Sequence, residues 1–306
     1  MPLAPRPLYD WRLRTRTLAL GRETLVMGIL NVTPDSFSDG GHFYTPDEAP
    51  QRALEHALFM LDHGAGAIDL GGESTRPGST QLSPDEEQAR VLPVLEAILR
   101  ERPAAILSID TFHASTAERA VEAGAEIVND VSGHLWDTAM SAACARLGCG
   151  AILMHTRGTP AEWRSLSPLA EDEVVPLVFS GLEERVAVVE TAGVPREGIV
   201  IDPGLGFGKR HDENYPLLAH LEALQHLDLP VMIGASRKSF LGHTLGLAPH
   251  LTAIYEGHSA PAEARGNATT AANVASILMG AHILRVHDVQ PATEAAAIAD
   301  RILLSI

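Results

Sequence analysis

Leu25-Val26-Met27-Gly28-Ile29-Leu30-Asn31 is a short apolar run that stops abruptly at an amide. Apolar and polar residues do not alternate within it, so a strand built from it has no face suited to water. That is how a strand reads when it lies in a parallel sheet covered on both sides. The pattern returns seven times, at Ala67–Leu70, Ala105–Ile109, Ile127–Val128, Ala151–Met154, Ile199–Ile201, Val231–Ile233 and Ile283–Val286, the last interrupted by Arg285. Helical signals separate the runs. Thr45-Pro46-Asp47-Glu48 and Ser83-Pro84-Asp85-Glu86 are capping boxes with proline at the first helical position. The first leads into Leu54, Leu58 and Leu61 on one face and closes at Gly64. The second leads into Leu92, Leu95 and Leu99, with Pro93 expected to kink or divide the helix. Gly124, Gly148, Gly193 and Gly280 each stand as a helix end just before a strand.

Eight strand–helix units predict an α/β fold, a closed (β/α)8 TIM barrel. An open doubly wound sheet is the runner-up, lowered by the lack of a dinucleotide fingerprint. Thr17–Leu20 and Thr24–Leu30 flank Gly21-Arg22, which predicts an N-terminal β-hairpin covering the barrel bottom. Met1–Pro7 reads as a loose tail and residues 8–306 as a single domain.

Barrel enzymes place their active sites where the strands end. Here the strands run into Asn31, Glu73, Asp110, Asn129-Asp130, His155, Asp202, Ser236-Arg237-Lys238-Ser239 and Arg285-Val286-His287-Asp288. One polar residue after a strand is ordinarily a cap or a turn. Eight in eight, rich in Asp, Asn, Arg, Lys and His, point to one functional rim.

Composition narrows the ligands. The formal charge is −16, from 39 acids and 23 bases, which argues against a nucleic-acid surface. Anionic substrates then need cations gathered at the site, which suffices because screening hides charges beyond about 8 Å at physiological salt. Val274–Leu284, the longest apolar stretch, is broken by Gly280 and His282 and is too short to span a bilayer, so no membrane partner is expected. No secretory run leads the chain. Cys144 and Cys149 read as buried free thiols of a reducing cytosol, and the expected location is cytoplasmic. The fourteen histidines lack metalloprotease spacing, and no Gly-x-Ser-x-Gly elbow is present. Gly204-Leu205-Gly206-Phe207-Gly208-Lys209 fits neither nucleotide loop, since Pro203 and Arg210 stand where a P-loop needs Gly and Ser or Thr, and it reads as a flexible loop.

Met27–Gly41, Asp69–Gly78, Ser108–Thr111, Asn129–Gly133, Leu153–Pro160, Asp202–Lys209, Gly234–Gly242 and Arg285–Val289 resemble the signature segments of the dihydropteroate synthase family, in that family's order. The most specific are Asn31-Val32-Thr33-Pro34-Asp35-Ser36-Phe37-Ser38-Asp39-Gly40-Gly41 and Ser236-Arg237-Lys238-Ser239. The resemblance implies a (β/α)8 barrel, a homodimer, Mg²⁺ and a transferase reaction of folate biosynthesis. In that reaction (7,8-dihydropterin-6-yl)methyl diphosphate and 4-aminobenzoate give 7,8-dihydropteroate and diphosphate.

The resemblance also assigns roles. Asp202 takes two adjacent N–H donors of the pterin, Asn129 completes the pattern, and Asp110 lies at its other reactive side. Lys238 bonds the pterin carbonyl and ring nitrogen, Arg285 lies flat over the ring, and Met154 and Phe207 pack against it. Asn31, Thr75, Arg76, Arg285 and His287 bind diphosphate, with Mg²⁺ on Asn31. Asp39 and Asp110 stabilise the methylene cation left when diphosphate departs, and Arg76 and Lys238 complete the catalytic set. Two loops, Asp35–Gly41 and Ser74–Gly78, close over the site, with Phe37 and Pro77 walling the aminobenzoate slot and Ser239 meeting its carboxylate. Ala161–Pro176 departs from the family pattern, on an outer connection where loop shape rather than chemistry is affected. Two other readings stand behind this one. A pterin-dependent methyltransferase of related fold would keep Asp110, Asn129 and Asp202 without needing Arg76 or Ser-Arg-Lys-Ser, and a non-catalytic pterin-binding paralogue would serve as an accessory protein.

Overall fold

The computed structural model describes residues 3–33, 49–73 and 81–306. It opens with an antiparallel pair, β1 (Tyr9–Arg12) and β2 (Thr17–Leu20). Eight parallel strands follow: β3 (Leu25–Asn31), β4 (Ala67–Gly71), β5 (Leu107–Asp110), β6 (Ile127–Asp130), β7 (Gly150–Met154), β8 (Ile199–Asp202), β9 (Met232–Ile233) and β10 (Ile283–Val286). Their order is β8-β7-β6-β5-β4-β3-β10-β9, and a parallel bridge from Ile201 to Val231 joins the two ends. The sheet is therefore a barrel rather than the open alternative. All eight predicted runs are strands, with boundaries that agree to within two residues.

The helices form the outer layer. They are α1 (Ala49–Asp62), α2 (Pro84–Glu101), α3 (Ala114–Glu122), α4 (Met140–Leu147), α5 (Glu171–Thr191), α6 (Tyr215–Ala219), α7 (Ser239–Leu247), α8 (Thr252–Tyr255), α9 (Gly266–Leu278) and α10 (Val289–Leu303). Ser83 caps α2, accepting from the Glu86 amide while Glu86 reaches back to the Ser83 N–H. Pro93 does not divide that helix, which runs unbroken to Glu101. Thr45–Glu48 lies outside the described residues. The buried face of α1 is Ala53, Ala57 and Met60, and the predicted leucines Leu54, Leu58 and Leu61 sit half-buried at its margins. Outward strand residues such as Val26, Leu30, Ile68, Leu70, Ile109 and Val128 meet the helices in one apolar layer.

Inward residues at the start of the strands make a second, smaller core: Met27, Ala67, Ile127, Ile152, Val200, Met232 and Ile283. Trp11, Leu13 and Leu20 of the N-terminal pair close it from below. Trp11 is fully buried and its Nε1–H donates to the Gly198 carbonyl at 3.0 Å. A hairpin thus covers the barrel bottom, but its strands differ from those expected. β2 pairs with Tyr9–Arg12, not with the strand after Gly21-Arg22. Gly21 is instead the corner between hairpin and barrel, with φ +107° and no room for a Cβ beside the Pro7 carbonyl. The loose-tail reading of Met1–Pro7 is corrected at Arg6. Its guanidinium is buried, pairs with Asp300 at 2.6 Å and donates to the Ala281 carbonyl and Thr24 Oγ1. Among the described residues no helix is long and apolar enough to cross a membrane.

Candidate active site

Two to four residues further along most of these strands, the inward positions change character. Above Met27 and Ala67 come Asn31 and Asp69. Above Ile127, Val200 and Ile283 come Asn129, Asp202 and Arg285. The C-terminal mouth of the barrel is therefore polar by the same alternation that makes its floor apolar.

Arg285 is the hub. Its Nε–H donates to Asp69 Oδ2 at 2.6 Å and its Nη2 to Asp110 Oδ2. Asp69 Oδ2 also accepts from Asn129 Nδ2 at 2.8 Å. Asp69, fully buried, belongs to no role expected from the sequence. Its signal was an acid inside the apolar run Ala67-Ile68-Asp69-Leu70, because a buried charge persists only with partners. Asn31 ends β3, and a side chain at Gly71 would touch both Asn31 and Asp110, so those two share one edge of the mouth.

Asp202 ends β8, buried, with Oδ1 accepting from the Gly204 N–H at 2.7 Å. Burial raises its pKa, opposed by that hydrogen bond and by Lys238, Arg285 and Lys209. Lys238 reaches over the Phe207 ring, Nζ 3.9 Å from the centroid. Burial pushes the Lys238 ammonium down to about 7, against the pull of Asp202 and Asp110. Asp110 moves the other way. Burial and the neighbouring Asp69, Glu87 and Asp130 carboxylates raise it, with Arg285 opposing. Met154 joins Phe112 and Val131 in a small apolar wall, with partly buried Phe207 packed against it.

Three residues around this mouth act differently from expectation. The Gly204–Gly208 segment is not a flexible loop. Lys209 is buried beneath it and its Nζ donates to the carbonyls of His155, Gly204 and Phe207 at 2.9–3.2 Å. Trp163, in the divergent Ala161–Pro176 stretch, is buried with its ring perpendicular to that of Phe207, centroids 5.3 Å apart, so that stretch backs the wall rather than lying apart from it. His287 is a neutral donor rather than a cation. Burial, with Arg285 and Arg237, holds it down at about 3. Ser236 Oγ accepts from the His287 backbone N–H and lies 2.9 Å from Nδ1, the arrangement of a hydroxyl donating to that nitrogen and leaving Nε2–H free to donate.

Ser239 begins α7 as expected, directly after Lys238. Arg237 holds φ +55°, an unfavourable conformation for arginine. It is fixed by two bonds to Asp288, one from its N–H to Thr269 Oγ1 and one from Arg265 to its carbonyl. Asp130 and His155, which also follow strands, have structural settings. Asp130 accepts from the amides of Ser132 and His134, and the His155 ring lies against Gly181 of α5. Phe37, Asp39, Thr75, Arg76 and Pro77 lie outside the described residues. Among the described residues no group of His, Cys, Asp or Glu is arranged to hold a metal. The single neutral oxygen of Asn31 fits a hard cation that takes most of its ligands from phosphate and water.

Comparison with known proteins agrees with this geometry. Residues 27–287 match the model of the pterin binding enzyme family. The dihydropteroate synthase of Bacillus subtilis is 41% identical over 286 residues, covering 94% of this chain and 91% of that protein. The Xanthomonas albilineans dihydropteroate synthase solved with 4-aminobenzoic acid superposes with TM-score 0.82 at 38% identity, over 96% of this chain and 98% of that one. The Clostridium difficile enzyme solved in the presence of pteroic acid does so with TM-score 0.80 at 36% identity, over 92% and 98%. A charged mouth on an apolar-floored barrel, matched over nearly its whole length by these proteins, places the chain in the dihydropteroate synthase family of pterin-binding enzymes.

Proposed function

We propose that the chain carries out its family's transferase reaction, condensing (7,8-dihydropterin-6-yl)methyl diphosphate with 4-aminobenzoate, at the mouth built by Asp202, Asn129, Lys238 and Arg285. The convergence of those four residues at one end of the barrel carries the reading. The pterin edge offers adjacent N–H donors, for which the Asp202 carboxylate is the acceptor, and the Asn129 amide completes the pattern. Lys238 donates to the carbonyl and ring nitrogen, and Met154 and Phe207 line the ring. Arg285 leaves part of its carboxylate pairing to cover the ring and meet diphosphate, where Asn31 and His287 Nε2–H also donate. Thr75 and Arg76 complete the diphosphate pocket. Asn31 would hold Mg²⁺, which would supply charge neutralisation for the departing diphosphate.

The C–O bond breaks first. The electron-rich dihydropterin delocalises the resulting methylene cation, and anionic Asp110 and Asp39 stabilise it. The arylamine nitrogen then attacks and loses a proton, which needs no strong base. Phe37 and Pro77 wall the amine's slot, and the amides at the start of α7 near Ser239 take its carboxylate. The protein works as a homodimer in the cytoplasm, as the family resemblance implies. The decisive experiment incubates purified protein with the dihydropterin diphosphate, 4-aminobenzoate and Mg²⁺. Stoichiometric dihydropteroate and diphosphate are expected. Pterin binding without product would favour an accessory paralogue, and no pterin binding would end the reading.

A further inference from the structure

We propose that Asp69 is a positioning residue that sets which heterocycle the pterin site accepts, by locking the amide of Asn129 in one orientation. This rests on the assignment of Asn129 to the pterin edge. Asp69 points inward from β4 and is fully buried. Its Oδ2 accepts two N–H groups from across the barrel, Asn129 Nδ2 on β6 at 2.8 Å and Arg285 Nε on β10 at 2.6 Å. Arg285 is held from its other side by Asp110, so the carboxylate is anchored by an anchored partner.

An amide can turn over by half a rotation, exchanging a donor for an acceptor in nearly the same volume. Asp69 as a carboxylate only accepts. It admits Asn129 Nδ2 and rejects Oδ1, because the flipped amide would set two acceptor oxygens together in a buried place. That arrangement is disfavoured by roughly tenfold to a hundredfold. One N–H and the carbonyl of Asn129 then remain for a ligand, in a fixed order. A 2-amino-4-oxopteridine offers a ring-nitrogen acceptor beside an amino donor. A 2,4-dioxopteridine offers the reverse, an N–H beside a carbonyl. A locked amide serves the first and opposes the second, whereas a free amide would turn to suit either.

The surroundings of Asp69 choose the test. Its second oxygen, Oδ1, is buried without a hydrogen-bond partner, as is Ser108 Oγ, and Asp69 and Ser108 are register neighbours on β4 and β5. Asp69→Asn can keep its carbonyl where Oδ2 stands and turn its NH2 to the Oδ1 side, preserving the lock without the charge. Asp69→Leu has similar size and no acceptor. The measurement is calorimetric affinity for a 2-amino-4-oxopteridine and the matching 2,4-dioxopteridine, in the wild type and both variants. The preference for the amino compound is expected to stay within about threefold of wild type in Asp69→Asn and to fall about tenfold in Asp69→Leu. If Asp69 merely balances the charge of Arg285, both variants lose affinity for both compounds alike and the preference does not move, which overturns the proposal.

A second measurement holds even if Asp69→Leu does not fold. In the ligand-free wild type, one Asn129 side-chain amide proton is expected to be protected from exchange with water, its NMR signal identified by its loss in Asn129→Ser. Equal, rapid exchange of both protons overturns the lock. Failure of the wild type to bind either pteridine is a separate result that removes the functional reading beneath it.

Discussion

The floor and the mouth of this barrel are made from the same strands, a few residues apart, and their deepest residues are equally buried. Met27 and Asp69 both have no exposed surface. What separates them is how their neighbours treat polarity. The floor, Trp11 with Met27, Ile127, Ile152, Val200 and Ile283, is apolar throughout and gains its free energy on folding. The mouth gathers three carboxylates around Arg285 and Lys238, and pushes Lys238 down and Asp110 and Asp202 up from their ordinary ranges. Such shifts mean that the charged forms are harder to maintain there than in water. One end of each strand stabilises the fold, and the other holds groups that a ligand completes.

Arg285→Ala breaks this division most severely, because Arg285 serves both sides. Removing it leaves Asp69 and Asp110 unpaired, with Asp69 fully buried. A loss of about 3–5 kcal/mol in urea unfolding is expected, together with a steep fall in turnover. Unchanged stability would mean that the Arg285 contacts are incidental. Trp11→Ala isolates the floor. It opens a cavity and removes the bond to Gly198, so unfolding should become easier by about 3–5 kcal/mol while kcat below the unfolding transition stays near wild type. A parallel drop in kcat would show that the two ends are coupled. Lys238→Ala isolates the mouth. Turnover should fall about 10²–10³-fold, with stability equal or higher because a cation held at about 7 by burial has gone. Asp202→Asn is milder. It replaces a charged acceptor by a neutral one and should weaken pterin binding by about 1.5–3 kcal/mol, with little change for aminobenzoate, both read by calorimetry.

Legibility follows the same division. The eight strands were visible because parallel strands need apolar residues on both faces, and their polar endings marked Asn31, Asp110, Asn129, Asp202 and Arg285. Asp69 is harder to see: it sits inside an apolar run and is followed by Leu70-Gly71-Gly72, whereas Arg285, also inside a run, stands next to the polar ending His287-Asp288. Lys209 was hidden by its glycines. Three positive-φ glycines suggest mobility, while the lysine beneath them ties three carbonyls together. Gly21-Arg22 is a strong turn signal and predicts the wrong pair of strands for the hairpin. Burial of Trp11 against the floor, a tertiary effect, decides the pairing instead. The sequence places Trp163 on an outer connection, and only packing shows that it supports Phe207.

The finest test of the mouth is its titration. Lys238 acts as a donor, so its contribution requires the ammonium. A group pushed down to about 7 is protonated below that pH and loses its proton as pH rises through it. Asp110 acts as an anion, and burial raises its pKa, so its contribution is lost as pH falls through that raised value. Opposed requirements of this kind give a bell-shaped kcat/KM for the free enzyme. The alkaline limb should begin near pH 7, falling about tenfold per unit beyond it. In kcat the alkaline limb should move upward, because bound diphosphate places negative charge beside Lys238 and favours its protonated form. Lys238→Arg keeps its charge at every accessible pH, so any residual activity should lack the alkaline limb altogether. A wild-type kcat/KM that stays flat from pH 6 to 9 would place the ammonium outside the field of Arg285 and out of its buried setting, and would remove the physical distinction between mouth and floor.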